Sequence, residues 1–187
     1  MTVAGLLLAA GAGRRFGMPK ALVRHDGALF VERAADVLHA GGCAPVVVVL
    51  GALAEDVRTT ALLSGSSLVD NPDWESGMGS SLRTGLSALA STDCAAVIVL
   101  PVDTPGVTSA AVARFVALAA PDALARATYD GAPGHPVLIG RNHWNDVAAL
   151  ANGDEGARPY LARHPATEVP CEDIAAGQDV DRPSDLP

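Results

Sequence analysis

Runs of consecutive apolar residues alternate along the chain with segments whose apolar positions recur at helical spacing. Val3–Ala9, Pro45–Leu50 and Ala95–Leu100 are continuous apolar runs, the form taken by parallel strands covered on both faces. Between the first two, Val31, Ala34, Ala35 and Leu38 mark one face of a helix that stops at Gly41-Gly42. Helices are also expected over Leu53–Leu63, Ser80–Ala90 and Ser109–Ala119, with a short strand at Ser67–Val69. Past residue 120 the alternation changes. Leu124–Tyr129 and Pro136–Ile139 look like two strands joined by a loop, followed by short helices around His143–Leu150 and Glu155–His164, a Thr167–Val169 strand and a polar tail. This order predicts an α/β fold: an open, doubly wound, Rossmann-like sheet, mostly parallel, with helices on both faces, in one domain over residues 1–187. In such sheets ligands bind beyond the carboxyl ends of the strands, which directs attention to residues 11–20, 71–81 and 101–106.

Composition narrows the ligand. Aromatic residues make up 4% of the chain, too few for a base-stacking surface, and a net charge of −8 argues against nucleic acid or an anionic membrane as partner. The charge is uneven, however. Arg14, Arg15, Lys20 and Arg24 stand without any acid in residues 1–25, whereas residues 168–187 hold Glu168, Glu172, Asp173, Asp179, Asp181 and Asp185 against Arg182. A local cationic site in an anionic protein suits a small polyphosphate. No apolar run approaches the roughly 20 residues of a membrane helix. The three cysteines, Cys43, Cys94 and Cys171, have no C-x-x-C spacing, so neither a disulfide framework nor a zinc knuckle is indicated and a reducing cytoplasm is expected.

The loop Gly11-Ala12-Gly13-Arg14-Arg15-Phe16-Gly17-Met18-Pro19-Lys20 follows the first strand directly and ends on the only lysine of the chain. Glycines bring backbone N–H groups against a ligand, and the two arginines and the lysine supply compensating charge for phosphate. The spacing fits neither a dinucleotide fingerprint nor a P-loop, because the third glycine falls one position late and Lys20 stands three residues after Gly17. Asp103, between Pro101 and Pro105 beyond the third strong strand, is read either as a turn residue capping the next helix or as a carboxylate for Mg²⁺. Ser80 and Ser81, after Gly77-Met78-Gly79, are placed to cap a helix or to meet a nucleobase edge. Asp179 and Asp181 alone read as a solvated tail, and His135 alone as a structural histidine.

The run Leu8-Ala9-Ala10-Gly11, Arg15-Phe16-Gly17 and Lys20 resembles the L-A-A-G-x-x-x-R-[MF]-G-x-x-K signature of the MobA-like NTP transferases. Further segments in order, Asn71–Leu82, Leu100–Pro105, Gly134–Val137, Gly153–Arg158 and Asp179–Leu186, are similar to the molybdenum cofactor cytidylyltransferase branch of that family. The resemblance implies a sheet of the nucleotide-diphospho-sugar transferase type, with a nucleotide-binding half near residues 1–105 and an acceptor-binding half near 106–187. It implies transfer of CMP from CTP to the terminal phosphate of molybdopterin, or its metal-loaded form, with release of pyrophosphate. By the same resemblance Leu8, Ala9, Ala10, Gly11, Gly13, Arg15, Lys20, Gly79, Ser80 and Ser81 bind the nucleotide, and Arg15, Lys20 and Asp103 carry catalysis. Asp103 and Asp181 hold Mg²⁺, with Asp179 the alternative to Asp181, while His135 and Arg158 bind the acceptor. A molybdoenzyme or its chaperone would receive the product. The alternatives are GTP-dependent guanylyl transfer, nucleotidylation of a sugar phosphate or alcohol phosphate, and a non-catalytic carrier. A nicotinamide oxidoreductase ranks last, given the late glycine.

Overall fold

The computed structural model describes residues 1–186. Strand β1 (Val3–Ala9) is followed by the glycine loop and by a small hairpin of β2 (Arg24–His25) and β3 (Ala28–Leu29). Then come α1 (Phe30–Ala40), β4 (Val46–Leu50), α2 (Ala54–Thr60), β5 (Ser66–Asp70), α3 (Met78–Leu89) and β6 (Ala96–Pro101). The second part holds α4 (Ser109–Val116), β7 (Leu124–Tyr129), β8 (Ala132–Gly140), α5 (Trp144–Leu150), α6 (Arg158–Leu161) and β9 (Thr167–Pro170). The main sheet has seven strands in the order β5-β4-β1-β6-β8-β7-β9. Strand β8 pairs antiparallel with both β6 and β7, and the other pairings are parallel. The doubly wound, mostly parallel sheet expected from the alternating pattern is thus the one formed. Strand order reverses between β1 and β6, and the crevice of such sheets opens at that switch point.

Strand periodicity explains why both faces need cover. Along β1, Val3, Leu7 and Ala9 join the apolar layer under α1 and α4, while Ala4, Leu6 and Leu8 join the opposite layer under α3 and α5. The same split divides Val46, Val48 and Leu50 from Val47 and Val49, which is why β4 reads as an unbroken apolar run. With few aromatic residues, the layers are built from Val, Leu and Ala, with Phe30 and Phe115 fully buried on the α1/α4 side. Close approach needs small residues. A Cβ on Gly85 of α3 would lie 2.2 Å from Leu6 Cδ1, so α3 seats directly on β1. Cys43, Cys94 and Cys171 are buried and free. Among the described residues no helix is long and apolar enough to cross a membrane.

Several boundaries differ from the pattern-based expectation, among them the start of β8 at Ala132 instead of Pro136 and the end of α4 at Val116 instead of Ala119. α2 ends at Thr60 instead of Leu63, and α3 begins at Met78, which takes Met78 and Gly79 out of the turn and into the helix. The stretch after residue 152 is a 3-10 turn (Gly153–Glu155) and a four-residue α6. The helix expected from Glu155 starts only at Arg158, because Gly156 at φ 54° holds a positive-φ backbone that cannot propagate an α-helix.

Candidate active site

The site lies where β1 and β6 end side by side, joined by the Val102 amide donating to the Leu8 carbonyl at 3.1 Å. Beyond β1 the chain makes the glycine loop. Gly13 has φ 60°, and a Cβ there would lie 1.8 Å from the Met18 carbonyl oxygen. The amides of Phe16 and Gly17 both donate to the Gly13 carbonyl, at 2.9 and 2.8 Å. The loop is therefore folded back on itself, and that turn carries Lys20 over the strand ends.

Lys20 Nζ donates to Asp103 Oδ2 at 2.8 Å and to Asp181 Oδ1 at 2.7 Å. Arg15 Nη1 meets the other oxygen of Asp181 at 2.9 Å. Burial alone would lower the Lys20 pKa, but hydrogen bonds to the two carboxylates and their charges raise it above the ordinary lysine value. The Lys20 hydrogen bond in turn holds the Asp181 carboxyl below the usual carboxylate range. Asp103 is not a helix cap, because Thr108 Oγ1 accepts from the Ala111 amide at the start of α4.

Asp181 arrives from far along the chain, on a tail held by contacts of its own. The Cys171 amide donates to the Thr128 carbonyl, the Ala176 amide to Gly106 and the Val180 amide to Asp103, at 3.0, 3.0 and 2.8 Å. Arg114 grips Asp173 through both Nη atoms at 3.0 and 2.8 Å. The acidic tail is a strap that delivers one carboxylate to the end of β6. Asp179 lies on it beside the site, and partial burial together with the charges of Asp103 and Asp181 holds its carboxyl above the ordinary value.

Two cavities adjoin here. One, of about 540 Å³, is lined by the loop from Ala10 to Arg15, by Lys20, Trp74, Met78, Ser81 and Asp103, and by Asp181. The other, of about 360 Å³, is lined by Leu82, Val99, Val137 and Leu161 with Arg126, His135 and Asp179. Leu8, Met78, Pro101, Asp103, Asp154, Arg158 and Asp179 border both. Each cavity takes its wall from both the first and the second part of the chain.

Most of the expected nucleotide residues come together. Leu8, Ala10, Gly11, Gly13, Arg15, Lys20 and Ser81 line the larger cavity with Asp103 and Asp181. Ala9, Gly79 and Ser80 stand off its wall, each for a local reason. Ala9 belongs to the opposite apolar layer. Gly79 packs on residues 151–152, where a Cβ would lie 2.7 Å from the Ala151 carbonyl carbon. The Ser80 hydroxyl turns inward, donating to the carbonyls of Asp73 and Gly77 at 3.0 and 2.8 Å. Ser80 is no N-cap either, since Gly77 holds that position with φ 108°. Buried Asn71 organises this corner, its Nδ2 donating to Ser80 Oγ at 2.8 Å and Ser81 Oγ at 3.0 Å.

His135 and Arg158 both border the smaller cavity, and Arg158 borders the larger one as well. Burial, with Arg158 adding its charge, pushes the His135 imidazole down to about 4 against the opposing pull of Asp103, so it is neutral near pH 7. Arg126 and Trp74 are not singled out from the sequence as site residues, and Met78 only as part of the Gly77-Met78-Gly79 turn. For Arg126 a signal existed, a cation set between Ala125 and Ala127 in an otherwise apolar strand. Trp74 and Met78 carry no charge or spacing that separates them from core residues.

Two carboxylates converging on one ammonium show that this point accommodates a cation. Among the described residues no group of three or more His, Cys, Asp or Glu side chains forms a metal cage. A hard cation taking one or two carboxylates, with substrate phosphates and waters completing its shell, fits that donor set.

Comparison with known proteins agrees with this geometry. Residues 5–169 match the MobA-like NTP transferase domain. Nicotine blue oxidoreductase of Paenarthrobacter nicotinovorans is 39% identical over 96% of this chain and 92% of its own length. Among solved structures, Rv0371c of Mycobacterium tuberculosis H37Rv superposes with a TM-score of 0.84 at 26% identity, covering 97% of this chain and 94% of that one. A complex of Rv0371c with manganese gives 0.78 at 25% identity, over 91% and 88% of the two chains.

Proposed function

The chain belongs to the MobA-like NTP transferase family, and from that premise we propose that it transfers CMP from CTP to the terminal phosphate of molybdopterin, or its metal-loaded form, releasing pyrophosphate. The observation that carries this reading is the Lys20 ammonium between Asp103 and Asp181, beside a glycine loop and open to a cavity of about 540 Å³. In the proposed reaction an acceptor phosphate oxygen forms a bond to the α-phosphorus of CTP while the bond to the bridging oxygen breaks, and pyrophosphate departs with that electron pair. A phosphate nucleophile is ionised at neutral pH, so no side chain has to remove a proton. The work falls on positioning and on charge.

Arg15, Lys20 and the amides of the glycine loop hold the β- and γ-phosphates and meet the charge that grows on the leaving pyrophosphate. Asp103 and Asp181 would hold Mg²⁺, which would supply neutralisation of the phosphate charge when bound. Lys20 then has two partners available to it, the carboxylates before the nucleotide enters and the phosphates afterwards. Ser81 and the backbone at Leu8 and Ala10 enclose the base. Arg158, at the junction of the cavities, faces the acceptor phosphate, and neutral His135 offers a hydrogen bond deeper in the acceptor cavity. The manganese complex of Rv0371c supports a divalent metal in this fold. A cytoplasmic setting fits a reaction that consumes CTP, and a molybdoenzyme or its chaperone would take the product.

A second reading rests on the relative named nicotine blue oxidoreductase, at 39% identity. The paired carboxylates favour nucleotidyl transfer over it, because hydride transfer to a conjugated substrate makes no use of them. The discriminating experiment measures pyrophosphate release by purified protein with Mg²⁺, CTP or GTP, and molybdopterin, omitting the acceptor as control. In parallel, reduced nicotinamide nucleotide is followed at its absorbance maximum with nicotine blue. Acceptor-dependent release with CTP is expected. Preference for GTP would keep the reaction and reverse the base, and nicotinamide oxidation without pyrophosphate release would replace the reading altogether.

A further inference from the structure

Arg126 has no part in the phosphate chemistry above, yet its surroundings are those of a binding group. It lies on inner strand β7, in register with Glu168 of β9 and Val137 of β8, next to the irregularity that shifts the β7/β8 register between Arg126 and Ala127. Arg126 Nη2 donates to Glu168 Oε1 at 2.6 Å, which tethers one end of the guanidinium. The Nε atom is shielded from solvent and, among the described residues, has no hydrogen-bond partner. The residue lines the smaller cavity and not the larger one, whereas Arg158 borders both. The cavity therefore has one cationic group at the nucleotide junction and another away from it, separated by an apolar wall that includes Val99, Val137 and Leu161.

We propose that Arg126 is a specificity residue for the acceptor, binding its end remote from the reacting phosphate. This rests on the nucleotidyl-transfer reading. A guanidinium is itself a planar fork of donors, and one tethered at Nη2 can still pair with two adjacent acceptor atoms on the edge of a flat heterocycle, as arginine does with a carbonyl oxygen and a ring nitrogen of guanine. The chemistry of the cavity then specifies its ligand: phosphate at the Arg158 end, a flat and largely apolar body along the wall, and a carbonyl-bearing heterocyclic edge at Arg126. Glu168 already neutralises Arg126 and Glu155 lines the same cavity, which disfavours a second anion there, so a neutral acceptor edge is the better match.

The test is steady-state kinetics of pyrophosphate release with CTP and molybdopterin for the wild type, Arg126→Ala, Arg126→Lys and Glu168→Gln, each checked by circular dichroism for fold. Arg126→Ala is expected to raise the acceptor KM by about tenfold or more, the effect of losing a paired, planar contact, with the KM for CTP unchanged. Arg126→Lys should fail to restore the acceptor KM, because a point charge lacks the fork. Glu168→Gln, which keeps the guanidinium but loosens its tether, should raise the same KM by a smaller factor and keeps the question answerable if Arg126→Ala does not fold. An unchanged acceptor KM in folded Arg126→Ala and Arg126→Lys, with the wild type active, overturns the inference and leaves the nucleotidyl-transfer reading standing. A parallel rise in the KM for CTP also overturns it, as the mark of a structural effect. A wild type without acceptor-dependent release overturns the reading, and the inference falls with it.

Discussion

The two adjoining cavities are built by opposite means. The larger takes its loop side from one continuous stretch of chain, Ala10 to Arg15 with Lys20, and fixes it with local hydrogen bonds to the Gly13 carbonyl. The smaller draws on separate parts of the chain, from β6, β7, β8, α3 and α6 and the short stretch Asp154–Arg158, with apolar side chains between them. The first is made for charge, the second for shape. A triphosphate presents many oxygens to any array of amides and cations, so a contiguous loop can grip it whatever is attached. An acceptor is told apart by its outline and by a few polar atoms, and those contacts come from wherever the sheet and helices set them.

The sharpest test of this division is on the charged side. Lys20→Ala and Asp103→Asn are each expected to lower kcat/KM for pyrophosphate release by ~10²-fold or more, the scale of losing one oriented charge-stabilising group. Lys20→Ala has a second expected outcome that separates it from a general loss. With no nucleotide present, Lys20 occupies the point where Asp103 and Asp181 converge, so removing the ammonium should tighten Mg²⁺ or Mn²⁺ binding in calorimetry. Equal metal affinity in the wild type and the variant would mean that ammonium and metal do not compete for these carboxylates.

A smaller effect is expected where the cavities share a wall. Gly77 caps α3 at φ 108°, and a Cβ there would lie 2.5 Å from the Gly153 backbone. Gly77→Ala must push the start of α3 away from residues 153–154, and Met78 borders both cavities. The loss should be about tenfold in kcat/KM, short of the 10²-fold that a full ångström of misplacement can cost. It should raise the KM for CTP and for acceptor together. If one KM rose alone, the wall would belong to one cavity only and the division would be deeper than the geometry indicates.

The same contrast decided what could be read from the sequence. The alternation of runs and helices made the sheet legible, because β1, β4 and β6 are apolar on both faces, and the glycine loop marked the phosphate side, because its residues are neighbours in the chain. Asp181 was harder. Its tail has little regular structure, and its position comes from amides reaching Thr128, Gly106 and Asp103, contacts with no local signature. Only the resemblance of Asp179–Leu186 to a family segment pointed to it. Ser80 misled for a related reason: a hydroxyl near a helix start looks free until the buried side chain of Asn71 is seen beside it. Arg126 left only an unexplained cation in an apolar strand.

The smallest expected effect lies on the acceptor side and concerns proton binding. His135 is pushed down to about 4, so the folded protein keeps it neutral where the unfolded chain, with an ordinary value near 6.5, would already take up a proton. For a base whose folded value is depressed, the stabilising contribution is fully present above the unfolded value and is lost as pH falls toward the folded one. The window is therefore between about 6.5 and about 4, and the contribution lost across it is at most about 3 kcal/mol. His135→Gln, which cannot titrate, should lose less stability than the wild type in denaturant melts between those pH values, while the two curves run parallel above pH 7. The pH dependence of pyrophosphate release should be the same in both proteins, because any limb at about 6 belongs to the second ionisation of the substrate phosphates and not to His135. Parallel stability curves throughout would mean that His135 titrates as an exposed histidine, and the acceptor cavity would be wetter than its apolar wall implies. The phosphate side would be untouched by that result, because Lys20, raised above the ordinary lysine value by its two carboxylates, keeps its charge across the same range.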